Sequence, residues 1–449
     1  MRAKGTPLTC APVANALRLR SHIKTEVRDM PAVQIPISRL CISLVLISLA
    51  ISVPPASFPQ ERAERTIEEI KVEAVKRAQN GMYPMIGLNP ADVEEAFAAI
   101  KTRDKDEWAT AFMHVADRYM AEGRSLEKTD PAKANADYIR AWRIYSFGRW
   151  PIPSSPKKKE SYAKAIEAFL AHAKFWDPPL EVVRIPFEGS EIIGYMRLPK
   201  NAKGPVPVVL AVNGLDSRKE DLSESFGAIL PYGIGFLAVD GPGTGQCPIK
   251  ASPTAERLLS RVIDYLQTRP EVDKTRIAFH GVSWGAYWGT KMAVVERERL
   301  KAVSVQSPPT DLFFTKRFLT ESLLGNREYL FDQVPALMAI FDNVNSVDDI
   351  AAIFEKMSLA NQGILGKPTT PMLVIAGVKD TQVPISDIYE LMNAGDVPKE
   401  AWINPSGGHL GRQVKVWPDP VIFKRVLLPW LARNLDVPPL LETEKRSGN

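Results

Sequence analysis

Two periodicities divide the chain. From about Glu61 to Trp176 apolar residues recur every three or four positions, whereas beyond Pro178 short β-branched runs alternate with helical stretches. In the first region ERAERTIEEIKVEAVKRAQN predicts a charged amphipathic helix closed by Gly81. Asn89-Pro90 and Asp130-Pro131 each set a capping side chain before a proline suited to a first helical turn. Trp108, Phe112, Val115 and Tyr119 share one helix face, and Ile139, Trp142 and Tyr145 share another. Both faces read as packing between helices, with the wall of a substrate cavity as the other option.

The second region opens with LEVVRIPF (180–187) and IIGYMRL (192–198), an expected antiparallel pair. PVVLAVN (207–213), GFLAVD (235–240), RIAFH (276–280), KAVSVQS (301–307) and MLVIAG (372–377) are almost wholly apolar, as parallel strands covered on both faces must be. AWINP (401–405) is expected as the last strand. AERLLSRVIDYLQ (255–267) and the stretch after Ser283 supply crossover helices, so the fold class is α/β with a mostly parallel sheet. About sixty residues separate the strands ending near Ser307 and beginning at Met372, more than an ordinary connection. Helical patterns at 313–324, 327–340 and 346–357 predict an inserted cap over the carboxyl edge of the sheet. The expected organisation is a leader at 1–56, a helical N-terminal domain at 57–178, an α/β domain at 179–437 with its cap at about 308–368, and a tail at 438–449.

Charge and cysteine content change this picture only at the amino end. The net charge of +5 is accounted for by seven basic and two acidic residues within positions 1–41, which leaves no basic face for nucleic acid. Lys157-Lys158-Lys159 reads as a solvated helix start. Leu40 to Val53 is an uncharged apolar run preceded by Arg39 and followed by Pro54-Pro55-Ala56, too short to span a bilayer and suited to a signal peptide. Export to the periplasm or medium is expected, with anchoring through residues 40–53 as the alternative; after processing no stable membrane span is expected. Cys10 and Cys41 lie in the leader, so the lone Cys247 leaves the body without an internal disulfide.

The chemistry centres on Gly281-Val282-Ser283-Trp284-Gly285, set between the strand RIAFH and a helix. A sharp elbow there needs small residues on both sides to lift the serine hydroxyl clear of the backbone. That hydroxyl needs a base. Among His22, His114, His172, His280 and His409, only His409 follows the serine, in an exposed loop (Gly407-Gly408-His409) expected to be mobile; His280, on a buried strand end, reads as structural. Asp380, just past MLVIAG, is positioned to orient the histidine, with Asp311 as runner-up. The amides of Leu215 and Trp284 are the expected oxyanion donors. Gly241-Pro242-Gly243-Thr244-Gly245 lacks dinucleotide or Walker spacing and reads as a tight turn beside the site. No histidine or cysteine cluster has metal-ligand spacing, and no cofactor is called for.

These residues resemble a branch of the α/β-hydrolase superfamily that holds FrsA-type esterases and 2,6-dihydroxypseudooxynicotine hydrolase-like enzymes. The likeness is carried by Asn213-Gly214-Leu215-Asp216-Ser217, Lys219-Glu220, Val239 to Gly245, the Ser283 elbow, Asp380 and His409. The helical stretch SPKKKESYAKAIEAFLAHA and the junction DPPLEVVRIPFEG look like that branch's N-terminal domain, so the resemblance spans most of residues 60–435. Gln246-Cys247 departs from the Glu-Ser of many relatives. The resemblance implies an α/β-hydrolase core with an N-terminal helical domain and a helical cap. It implies a serine hydrolase acting on a small-molecule carboxylic ester through Ser283, His409 and Asp380. Hydrolysis of a carbon–carbon bond in a β-diketone-like substrate is the alternative, and a binding protein on a hydrolase fold is the second.

Overall fold

The computed structural model describes residues 65–438 apart from residues 201, 331 and 332. The leader, its apolar run at 40–53 and the tail beyond residue 438 lie outside the described residues. Among the described residues no helix is long and apolar enough to cross a membrane.

Five helices come first: α1 (Ile67–Gln79), α2 (Pro90–Ala99), α3 (Lys105–Leu126), α4 (Pro131–Gly148) and α5 (Pro156–Ala173). Thr66 and Glu69 close a reciprocal cap on α1, and the side chains of Asn89 and Asp130 accept from Ala91 N and Lys133 N, satisfying amides a helix start leaves orphaned. The apolar faces meet in one cluster, where Phe112 and Phe147 stand edge to face with centroids 4.9 Å apart. Tyr195, from the sheet, joins that cluster by stacking on Phe169.

The sheet contains β1 (Glu181–Phe187), β2 (Ser190–Arg197), β3 (Val206–Val212), β4 (Gly235–Val239), β5 (Val272–Val282), β6 (Ala302–Gln306), β7 (Met372–Gly377) and β8 (Glu400–Asn404). Their order is β1-β2-β4-β3-β5-β6-β7-β8. The pairs β1–β2 and β2–β4 are antiparallel and the rest parallel. Strand periodicity divides the core between two faces: Val208, Leu210 and Val212 of β3 point into one cluster, Val209 and Ala211 into the other. Helices α7 (Arg257–Thr268) and α8 (Trp284–Val295) cover the first face, and α6 (Lys219–Phe226) with the C-terminal helical segment covers the second. This is the α/β-hydrolase architecture, with a helical layer before it and a cap inserted between β6 and β7.

Two expectations need correction. Of the helix foreseen over 327–340, the described residues form only Gln333–Met338. The carbonyls of the preceding residues are taken by arginines instead: Arg77 donates to Arg327 O (2.9 Å) and Glu328 O (2.5 Å), and Arg65 to Tyr329 O (2.6 Å) and Leu330 O (2.7 Å). A carbonyl so engaged points away from the direction a helix ladder requires. Lys158, expected in solvent, is buried and donates to Trp150 O at 2.6 Å. Burial, with the nearby charges of Lys105 and Arg149, pushes its pKa down to about 7. Its neighbours Lys157 and Lys159 are exposed.

Candidate active site

Parallel strands bring their carboxyl ends to one edge, and the ends of β3, β5, β7 and β8 each lead into a loop there. Beyond β5 the chain turns at Ser283 with φ 51° and ψ −113°, a conformation few non-glycine residues adopt. The turn is possible because its flanks have no side chains. A Cβ on Gly281 would lie 2.1 Å from Gly285 O, and one on Gly285 would lie 2.3 Å from Val212 O. Ser283 N donates to Gln306 O at 2.8 Å, which fixes the elbow to the end of β6.

The Ser283 hydroxyl faces His409 Nε2 at 3.0 Å. On the other side of the ring, His409 Nδ1 lies 2.8 Å from Asp380 Oδ2. The second carboxylate oxygen of Asp380 accepts from Gln382 N (2.8 Å) and Val383 N (3.0 Å), so this side chain is held at both ends. Burial alone would lower the His409 pKa, but the Asp380 charge outweighs it and raises the imidazole above its ordinary value. Burial likewise works to raise Asp380, and the His409 contact prevails and lowers it. The structure therefore joins Ser283, His409 and Asp380 in one hydrogen-bonded chain.

The other candidates do not join this chain. Asp311 accepts from the Ser358 hydroxyl. His114 is exposed on α3, and His172 is buried against Asn135 and Trp176. His280 is buried with Nδ1 2.9 Å from Ser304 Oγ, and burial takes its pKa down to about 3. Cys247 is a free thiol whose pKa burial pushes up to about 12. Asp240, before the Gly241–Gly245 turn, forms a buried ion pair with Lys219, which also holds Glu220 and Gln246.

The loop expected to be mobile is pinned, and its imidazole is 7% exposed. Gln306 Nε2 donates to Leu410 O and Ser307 Oγ accepts from Leu410 N, both at 2.9 Å. Asn404 Nδ2 donates to Gly411 O at 2.9 Å. Gln306 and Ser307, at the end of β6, thus hold the histidine loop. Nothing in their immediate sequence signals that task, because the partner lies about a hundred residues away.

The loop after β3 is equally fixed. Asn213 is fully buried and donates from Nδ2 to Gly214 O at 2.7 Å. In a trans peptide this aims the N–H of Leu215 the opposite way. Leu215, Ser283 and Trp284 line one small hollow, and neither the Leu215 amide nor that of Trp284 donates to an acceptor among the described residues. Trp284 N also opens α8, where the helix dipole is positive.

Several residues of this region escaped sequence reasoning. Buried Arg149 donates to Asp216 O, and buried Arg218 donates to Leu215 O at 3.0 Å. Tyr83 Oη and Trp150 Nε1 both donate to Asp216 Oδ2. The helical layer thus grips the residue next to Leu215. Removing one donor from the half-buried Asp216 carboxylate costs about 1.5–3 kcal/mol. We expect Tyr83→Phe to lose that much stability in urea denaturation; a loss under about 0.5 kcal/mol would show that the loop is held without this contact.

Ser283 also opens on a larger cavity of about 350 Å³, with Tyr83, Trp142, Phe147 and Trp150 on one side and His409 and Arg412 on the other. Trp142, read mainly as helix packing, serves in both the helical cluster and this wall.

Comparison with known proteins agrees with this architecture. Residues 96–395 match the esterase FrsA-like family. Esterase FrsA of Yersinia pestis (strain Pestoides F) is 24% identical over 317 residues, covering 65% of this chain and 74% of that protein. Among solved structures, 2,6-dihydroxy-pseudo-oxynicotine hydrolase superposes with a TM-score of 0.63 at 20% identity, over 78% of this chain and 93% of its own. Wild-type AbyA5 superposes equally well, with a TM-score of 0.63 at 18% identity, over 84% of this chain and 96% of its own. These two likenesses speak for the fold. With the family match spanning most of the described residues, the chain belongs to the FrsA-like esterase family and is an α/β-hydrolase.

Proposed function

We propose that the enzyme hydrolyses carboxylic esters through an acyl-enzyme on Ser283. The observation that carries this reading is the 3.0 Å contact between Ser283 Oγ and His409 Nε2, continued at 2.8 Å from Nδ1 to Asp380. Ser283 Oγ attacks the ester carbonyl while His409 Nε2 takes its proton. Asp380 keeps the remaining N–H on Nδ1 and stabilises the imidazolium. Leu215 N and Trp284 N receive the developing oxyanion, each worth roughly 3 kcal/mol by analogy with other acyl-transfer sites. His409 returns the proton to the departing alkoxide, and water, activated by the same imidazole, releases the acid. The aromatic wall of the larger cavity favours an apolar alcohol or acyl group of small to medium size. The leader supports export of the enzyme, which fractionation of expressing cells would detect.

The test is covalent. A fluorophosphonate probe is expected to label wild-type protein at Ser283, identified by peptide mass spectrometry. Absence of labelling on folded protein would favour a binding protein on a hydrolase fold and overturn the proposal.

A further inference from the structure

The edge of the sheet away from Ser283 holds a buried cation with no ion pair among the described residues. Arg197 ends β2, beside Phe236 near the amino end of β4, and is 7% exposed. Its Nε donates to Pro178 O at 2.9 Å, and its guanidinium carbon lies 4.6 Å from the centre of the Trp176 ring. These two contacts fix the plane of the fork and leave its outer edge open. Among the described residues neither Nη nitrogen donates to an acceptor, and neither is sealed from solvent. Nη1 stands beside Gly227, where a Cβ would lie 3.0 Å from it. Gly227 has φ −51°, which any residue adopts, so the missing side chain serves space and not backbone conformation. Arg197 and Gly227 both line a cavity of about 960 Å³, separate from those at Ser283.

Charge in that cavity is unbalanced. Of the other cations lining it, Lys200 is paired with Asp177 at 2.5 Å and Arg276 with Asp273 at 2.7 Å. Lys203, exposed on the rim, makes no ion pair among the described residues. Burial pulls the Arg197 pKa down, opposed only by the charge of Asp177, which Lys200 already engages. A buried cation is costly unless an anion and hydrogen-bond acceptors meet it. Other walls of the cavity are apolar, among them Pro205, Leu230 and Pro231. We propose that this cavity binds a small organic anion, with carboxylate or phosphate oxygens received by the Nη groups of Arg197 and by Lys203, and with an apolar part resting on the proline-rich wall. A planar fork takes two oxygens at once, and the flexible Lys203 adds a point charge at the mouth. The site is independent of the serine-hydrolase reading, since it lies at the amino ends of β3 and β4 and not at the carboxyl edge.

The experiment titrates hexanoate, hexyl phosphate and neutral hexanamide into the protein by isothermal calorimetry. Wild type is expected to bind at least one of the two anions saturably, with Kd below about 10 mM, and hexanamide about tenfold more weakly or not at all. Arg197→Gln, which removes the buried charge, should weaken the anion about tenfold, and Lys203→Glu, which reverses the charge on the rim, about threefold. A purely structural arginine would lower the thermal midpoint of Arg197→Gln without changing affinity. Should Arg197→Gln not fold, Lys203→Glu, at an exposed position, decides the matter alone. No saturable binding of either anion, equal binding of hexanamide, or affinities unchanged in the folded variants would each overturn the proposal.

Discussion

Ser283→Ala is expected to lower kcat by a factor on the order of 10⁶ while leaving the fold intact. The size of the effect follows from the dependence of every covalent step on one oxygen: without it His409 has no proton to accept and no acyl-enzyme forms. What remains is the modest catalysis that two amide donors and a fitted cavity give to attack by water. Ester turnover by purified variant, with circular dichroism to verify folding, is the measurement; retention of more than about one per cent of wild-type activity would sink the assignment. A companion substitution separates chemistry from strain. Ser283 sits at φ 51° and ψ −113°, and such backbone conformations store about 1–3 kcal/mol. Ser283→Gly should therefore be as inactive as the alanine variant yet more stable than wild type by about 1 kcal/mol.

Asp380→Asn should cost about 10⁴ in kcat, a smaller loss for a different reason. An asparagine amide at this position can donate to His409 Nδ1, which would move the ring proton to Nε2 and turn a donor toward the Ser283 hydroxyl. The pH profile offers an independent reading. His409 must be neutral to take the serine proton, and the charge of Asp380 raises its pKa above the ordinary 6.5. The acid limb of kcat/KM in wild type should thus have its midpoint above 6.5. With the carboxylate gone, burial is left to act on the imidazole and pulls in the other direction, so the limb of Asp380→Asn should move to lower pH. A limb that stays in place would mean that Asp380 does not set the histidine's charge.

The parts of this structure that could be read from the chain are those whose physics is local. Strands β3 to β7 announce themselves because a strand buried on both faces is an unbroken apolar run. Ser283 stands out because its elbow needs glycine at fixed offsets. Asp380 and His409 follow because each lies just beyond a recognisable strand, as hydrolase order requires. Long polar side chains that reach distant carbonyls were not legible. Arg77 and Arg65 engage the carbonyls of 327–330, and Arg149 reaches the carbonyl of Asp216. Such contacts join positions dozens to hundreds of residues apart and leave no periodic trace. Lys158 shows the same limit: three consecutive lysines look alike in a string, yet only the middle one turns inward to Trp150.

The arginine tethers have a practical consequence for recombination. Arg65 and Arg77 hold the cap by its main chain at residues 327–330, so the contact depends on the shape of that segment and not on its side-chain identities. Grafting a cap from another family member onto this scaffold would therefore preserve the anchorage only if the incoming segment stays uncoiled there. A donor whose cap is helical over those four positions would have to be exchanged together with its own amino-terminal helix, as a matched pair.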